Sequence, residues 1–184
     1  MTTVYIGLGS NLQDPTRQLS TALAALQYLP QSALGSVSHL YRSAAIGPGS
    51  QPTYLNAVAR LDTELHPLPL LHALQQIEQA QGRVRTVRWG ARSLDLDILL
   101  YGDSEIDTPE LTIPHPSMHL RNFVIYPLAQ ITGPNLLLPD GTDLAKLIDR
   151  CPRGDLVDTG LQPARSSHQR LGRGSNGVSG PDAG

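Results

Sequence analysis

Residues 94–99 read LDLDIL. Along a strand, successive side chains point to opposite faces. Leu94, Leu96 and Ile98 therefore share one side, and Asp95 and Asp97 share the other, about 6.6 Å apart along the strand. The segment predicts a strand with one face in a core and the opposite face carrying two carboxylates at close quarters. Like charges this close repel, and burial raises their pKa values unless a cation lies between them. Hard oxygen ligands at this spacing suit magnesium, which takes one or two carboxylates and completes its shell with water and substrate phosphates. A core for the apolar face is available, since 40% of the 184 residues are hydrophobic and a domain of this size buries roughly 70% of its unfolded surface.

The rest of the chain supplies the partners such a strand needs. Residues 3–8 alternate Val4, Ile6 and Leu8 with Tyr5 and Gly7 and predict a first strand. Residues 14–30 predict a helix with Asp14 as its cap, Pro15 at the first position and Leu19, Leu23 and Leu26 at helical spacing. Residues 36–42 predict a second strand, and a loop rich in Gly and Pro follows. Residues 54–64 alternate Leu55, Ala57, Ala59 and Leu61 against Tyr54, Asn56, Val58 and Arg60 as a third strand. A second helix over 68–81 ends at Gly82, and residues 93–102 form the fourth strand. The order strand-helix-strand-strand-helix-strand is that of an α+β, ferredoxin-like βαββαβ sandwich. Its antiparallel sheet is expected to carry both helices on one face and to leave the other free for ligand. Beyond it, a turn or short helix opens at Pro116, "LLLPDG" reads as a strand, and residues 143–150 as a small helix. Residues 1–158 form the expected domain. Residues 159–184, rich in Gly and Ser, are expected to be a disordered tail.

Formal net charge is -2 with a sequence pI near 6.3, so no global field points to nucleic acid or a membrane. Only Lys146 is a lysine; the other thirteen basic residues are arginines. Arg83, Arg85, Arg88 and Arg92 lie directly before the two aspartates, together with Trp89, the only tryptophan. Four guanidiniums exceed what two carboxylates require. A magnesium-bearing triphosphate would engage both sets, carboxylates on the metal and planar forks on the phosphate oxygens. Gly82 and Gly90 lie in this segment, which is of the kind that closes over a ligand. A single cysteine, Cys151, fits a reducing compartment. No stretch approaches the roughly 20 apolar residues of a membrane helix, and nothing at the amino terminus reads as a signal peptide.

Three weaker signals accompany these. Gly7 and Gly9 in "GLGSN" allow close approach of a ligand to backbone, although the segment is no P-loop and fits a tight turn equally well. His115 and His119 are four apart but lack the companions of a zinc site, so phosphate or base contact suits His115 better. Tyr54 shares a strand face with Asn56, an arrangement suited to a flat heterocycle with donor and acceptor edges. An RNA-binding module and a non-catalytic scaffold are the competing readings. The acidic balance and the Asp pair count against the first, and the intact charged set against the second.

Four separately placed segments, "YIGLGSNL", "YLNAV", "RWGARSLDLDIL" and "IPHPSMHLRNFVIYPL", together resemble the 6-hydroxymethyl-7,8-dihydropterin pyrophosphokinase family of folate biosynthesis. The resemblance runs in order from about Thr3 to Ile148. It implies pyrophosphoryl transfer from ATP to the pterin hydroxymethyl group, with release of AMP. It implies two magnesium ions on Asp95 and Asp97, and charge stabilisation by Arg83 and Arg92. ATP contacts are implied for Gln75, Glu78, Arg85, Arg88, Ile98, Thr112, His115 and Arg121. The pterin is expected between Tyr54 and Phe123, its edge read by Asn56 and by the backbone of Ser43, Ala44, Ala45 and Ile46, with Trp89 closing over it. A cytoplasmic monomer acting on small molecules, without nucleic acid or membrane, completes the expectation. Two departures from the family pattern, "SAAIG" at 43–47 and Ala91 in place of a frequent proline, remove no functional side chain.

Overall fold

A computed structural model of the chain describes residues 1–12, 14–45, 52–82 and 94–164. Strand β1 (Thr2–Ser10) leads to helix α1 (Pro15–Gln27), then β2 (Ser32–Val37), β3 (Tyr41–Ser43) and β4 (Tyr54–Thr63). Helix α2 (Pro67–Ala80) and β5 (Asp95–Tyr101) follow, and then the small hairpin β6 (Ile106–Asp107) and β7 (Thr112–Ile113). Helices α3 (Asn122–Thr132) and α4 (Leu144–Arg150) and strand β8 (Val157–Asp158) follow among the described residues. The main sheet runs β5-β1-β4-β3-β8, with β2 also paired to β4, and every pairing is antiparallel. This is the split arrangement expected of the ferredoxin-like sandwich.

Local chemistry explains the main boundaries. Asp14 caps α1 by accepting the Arg17 N–H at 3.1 Å, with Pro15 at the position where a missing donor costs nothing. Gly82 follows α2 with φ +78, a conformation that disfavours residues with a Cβ. On α1, Leu19, Leu23 and Leu26 are fully buried against the sheet, each contributing about 1.5–3 kcal/mol. With Val4, Ile6 and Leu8 of β1, Leu96 and Ile98 of β5, and Leu70 and Leu74 of α2, they form one core.

The opposite face of the sheet departs from expectation. It is not left free, because α3 and α4 cover part of it. Val124, Ile125 and Leu128 of α3 and Leu144 and Leu147 of α4 pack with Val58, Leu99 and Leu100 in a second core. The predicted single strand over 36–42 is two strands on β4, divided where Ser38 hydrogen-bonds both ways to Val58. "LLLPDG" makes only an isolated bridge, Leu137 to Asp143, around a turn. The expected domain limit at 158 also shifts. Thr159 donates its backbone N–H to Leu40 O, Leu161 O accepts from Leu40 N–H, and the Gln162 amide donates to Val37 O. The remainder of the expected tail, 165–184, lies outside the described residues.

Candidate active site

The two aspartates owe their common face to regular alternation over residues 94–98, as the pattern predicts. The alternation then breaks. Ile6 pairs with Ile98 but Tyr5 pairs with Leu100, so Leu99 is the extra residue of a bulge. Asp95, Asp97 and Leu99 consequently share the α3 side of the sheet, and Leu100 joins them there instead of alternating away.

On that side a cavity of about 460 Å³ opens beside the amino-terminal end of α3. Its floor is the middle strand. Gly9 lies between Asn56 on β4 and Asp95 on β5, and Gly7 between Val58 and Asp97. Tyr54 and Asn56 line it from the start of β4, Ser43 and Ala44 from the end of β3, and Phe123 from the first turn of α3. Asn56 is 5% exposed; its amide nitrogen donates to Ser43 Oγ at 2.9 Å and to Tyr41 O at 3.3 Å. Those bonds use both amide protons and set the plane of the side chain at the cavity wall.

His115 and Arg121 close the charged end of the cavity. Ser117 N–H donates to His115 Nδ1 at 3.2 Å, and burial, reinforced by Arg121, lowers the imidazole pKa against the opposing pull of Asp95. A neutral ring with Nδ1 accepting must carry its proton on Nε2. That atom lies 3.8 Å from Asp97 Oδ2. The contact is too long for a hydrogen bond, and with a neutral ring it is no ion pair, so Nε2–H remains available to an incoming anionic oxygen. The Arg121 guanidinium carbon stands 5.8 Å from the Phe123 ring centroid, which ties cationic and aromatic walls together.

Among the described residues, other expected contacts do not line the cavity. Glu78 is 2% exposed at the edge of β5, where its Oε1 accepts the Leu96 N–H at 2.7 Å. Because Leu96 directs its N–H outward from the sheet, the backbone of Ile98, two residues on, faces the same edge, while its side chain is in the first core. Gln75 is half-buried on α2, Thr112 is paired with Asp107 in the small hairpin, and Ala45 lies beyond β3. Arg83, Arg85, Arg88, Trp89, Arg92 and Ile46 lie outside the described residues. Leu99, Ser117, Leu120 and Val124 line the cavity without having been singled out from the sequence. Leu99 continues the alternation of Asp95 and Asp97, and the others arrive through the fold of 117–124, which no local pattern announces. The α3 cover also removes part of the flat sheet face that an RNA platform would use.

Comparison with known proteins converges on one family. A family model described as 7,8-dihydro-6-hydroxymethylpterin-pyrophosphokinase (HPPK) matches residues 5–133. A Pseudomonas aeruginosa protein named 2-amino-4-hydroxy-6-hydroxymethyldihydropteridine pyrophosphokinase is 54% identical over 149 residues, covering 81% of this chain and 91% of the relative. Proteins of the same name from Haemophilus influenzae and Bacillus subtilis are 52% and 43% identical, covering 80% and 69% of this chain and 92% and 76% of the relatives. Among solved structures, an HPPK-DHPS in complex with substrates superposes with a TM-score of 0.64 at 12% identity, and wild-type Plasmodium falciparum HPPK-DHPS with 0.59 at 14%. They match 82% and 81% of this chain, which spans less than half of each, 45% and 44%. At that identity the likeness is one of fold.

Proposed function

The chain belongs to the 7,8-dihydro-6-hydroxymethylpterin-pyrophosphokinase (HPPK) family, and from that premise we propose how its residues carry the reaction. The enzyme transfers a pyrophosphoryl group from ATP to 6-hydroxymethyl-7,8-dihydropterin in folate synthesis. A bond forms between the hydroxymethyl oxygen and the β-phosphorus, the bond from that phosphorus to the α,β-bridging oxygen breaks, AMP leaves, and the hydroxyl proton is released. Nucleophile and leaving group must be held in line, and charge on the bridging oxygens must be met as it develops.

Asp95 and Asp97 fit magnesium by donor chemistry. They are hard carboxylates on one strand face, and among the described residues no group of three or more ligating side chains surrounds them, as suits an ion that keeps water and phosphate oxygens in its shell. Together they would hold two ions. Magnesium, when bound, neutralises triphosphate oxygens and draws the triphosphate to this end of the cavity. His115, through Nε2–H, and Arg121 would contact the phosphates. Arg83 and Arg92 would meet charge on the migrating group, with Arg85 and Arg88 as further ATP contacts. Glu78 and Gln75 would act from the β5 edge, where the Ile98 backbone and Thr112 would meet the nucleotide base. Tyr54 and Phe123 would flank the pterin ring, Asn56 and the backbone of 43–46 would read its edge, and Trp89 would close over it. Asp95 would lie near the hydroxyl, with positioning and charge supplying most of the rate. The working unit would be a cytoplasmic monomer of residues 1–158 with the strap that follows; among the described residues no helix is long and apolar enough to cross a membrane.

The supporting observation is that Asp95 and Asp97 line the same cavity as Tyr54, Asn56 and Phe123, one bare strand away. Incubation with ATP, magnesium and 6-hydroxymethyl-7,8-dihydropterin is expected to yield AMP and the pterin diphosphate in equal amounts. Absence of AMP, or its formation unchanged after magnesium is chelated, would overturn the reading.

A further inference from the structure

Arg121 and Phe123 line the cavity from the entry to α3, yet little within the helix holds that entry in place. Arg121, at the N-cap, gives no side-chain bond to the first turn, and no acidic residue lies there. Pro127 lies inside the helix and has no N–H, so the bond from position 127 back to the Phe123 carbonyl is missing. Val124, Ile125 and Leu128 keep the helix on the sheet, but apolar burial is non-directional and does not fix where the first turn comes to rest. The directional contacts come from one ridge. Asn122, Tyr126 and Gln130 recur every four residues and share a face of α3. The Asn122 amide donates to Arg153 O at 2.8 Å, with Pro152 O at 3.5 Å, in the turn that follows α4. The Arg153 guanidinium carbon stands 5.9 Å from the Tyr126 ring centroid, and its Nε donates to Leu156 O at 3.1 Å. Gln130 Oε1 accepts the His39 N–H at 2.8 Å and the Tyr41 hydroxyl at 3.3 Å. Strands β3 and β8 pair with each other, so both ends of the ridge are tied to one frame.

The geometry points to Asn122 as a positioning residue for the transfer: anchored to the turn at 152–153, it holds the backbone from which Arg121 and Phe123 project to the substrates. This assignment rests on the pyrophosphokinase reading and adds to it a residue that touches neither substrate. Asn122 stands between the two cavity residues in sequence, while its own side chain is turned to the segment after α4. The Arg121 guanidinium carbon lies 5.8 Å from the Phe123 ring centroid, so a shift of this turn moves the cation and the ring together. Phosphate and ring contacts are then lost in step. The segment after α4 thereby acts on the site from outside the cavity, through one amide.

The test compares wild type with Asn122→Ala, Arg153→Ala and the double variant, each in the full chain. It reads melting temperature, kcat, and binding of oxidised 6-hydroxymethylpterin and of a non-hydrolysable ATP analogue with magnesium. Arg153→Ala loosens the anchoring turn without altering α3, which covers the case in which Asn122→Ala does not fold. At a temperature where the variants are folded, each single substitution is expected to lower kcat about tenfold and to weaken both ligands. That is within the roughly hundredfold loss that a misplacement of about 1 Å produces. Both substitutions break one contact, so the double variant should lose little more than the worse single one. Wild-type kcat and affinities in folded Asn122→Ala, or in Arg153→Ala where the first does not fold, overturn the assignment even if the melting temperature drops. Losses that multiply in the double variant, or loss of one ligand alone, overturn it too. Wild-type turnover separates the two failures. If wild type forms no AMP, the pyrophosphokinase reading falls, and the two binding measurements still decide the role of Asn122. If it does and the folded variants behave as wild type, only the role of Asn122 falls.

Discussion

Asp97 faces the cavity with a side chain 37% exposed, 3.8 Å from His115 Nε2 and two residues from Asp95 on the same strand face, and the proposed reading makes it a metal ligand. Asp97→Ala is therefore expected to lower turnover by at least about a hundredfold, as loss of a principal electrostatic contact does. The variant is expected to remain folded, with a melting temperature close to that of wild type. Turnover near normal in the folded variant would remove Asp97 from the metal site. His115 is shaped by its neighbours. Burial and Arg121 lower its pKa, and Ser117 N–H donates to its Nδ1.

At the scale of elements, β5 is an edge strand that has to hold two mutually repelling carboxylates still. Glu78 of α2 does this from the side, accepting the Leu96 N–H between them at 2.7 Å. Glu78→Ala leaves that buried donor without its acceptor, at a cost of about 1–3 kcal/mol. A lowered melting temperature and a fall in kcat follow, because the strand carrying Asp95 and Asp97 loses its clamp. Glu78→Gln retains an acceptor oxygen and is expected to recover most of the melting temperature. Equal damage from both substitutions would show that the negative charge, and not the strand contact, is what the position supplies. The bulge at Leu99 has a complementary effect, turning two consecutive leucines toward α3 so that the helix seats against the sheet beside the cavity.

For the whole molecule, the segment after β8 is part of the folded unit. The Thr159 backbone and hydroxyl both bond to Leu40 O, Leu161 O accepts from Leu40, and Gln162 reaches Val37. A chain ended at Asp158 loses these contacts, each worth about 1 kcal/mol net, and should melt several degrees lower. A chain ended at Ala164 keeps them and should melt as the full chain does. If the two truncations melt alike, the strap contributes nothing. Much of this architecture was legible beforehand, because strand alternation and helix capping are local. Asp14 caps α1, β4 alternates as its residues predict, and Asp95 and Asp97 share a face. The strap escaped notice because its hydrogen bonds are made by backbone, which composition does not reveal. The α3 cover escaped because an apolar helix does not announce which sheet face it will occupy. What the sequence determined by itself, then, is the polarity of each strand face and the presence of paired carboxylates beside a run of arginines, since both depend on neighbours one or two residues away. Tertiary structure alone decided what stands opposite those carboxylates. Asn56 reaches the cavity through strand register, Phe123 through helix docking and His115 through a loop tied by its N–H to Leu99 O, and each of these joins segments distant along the chain.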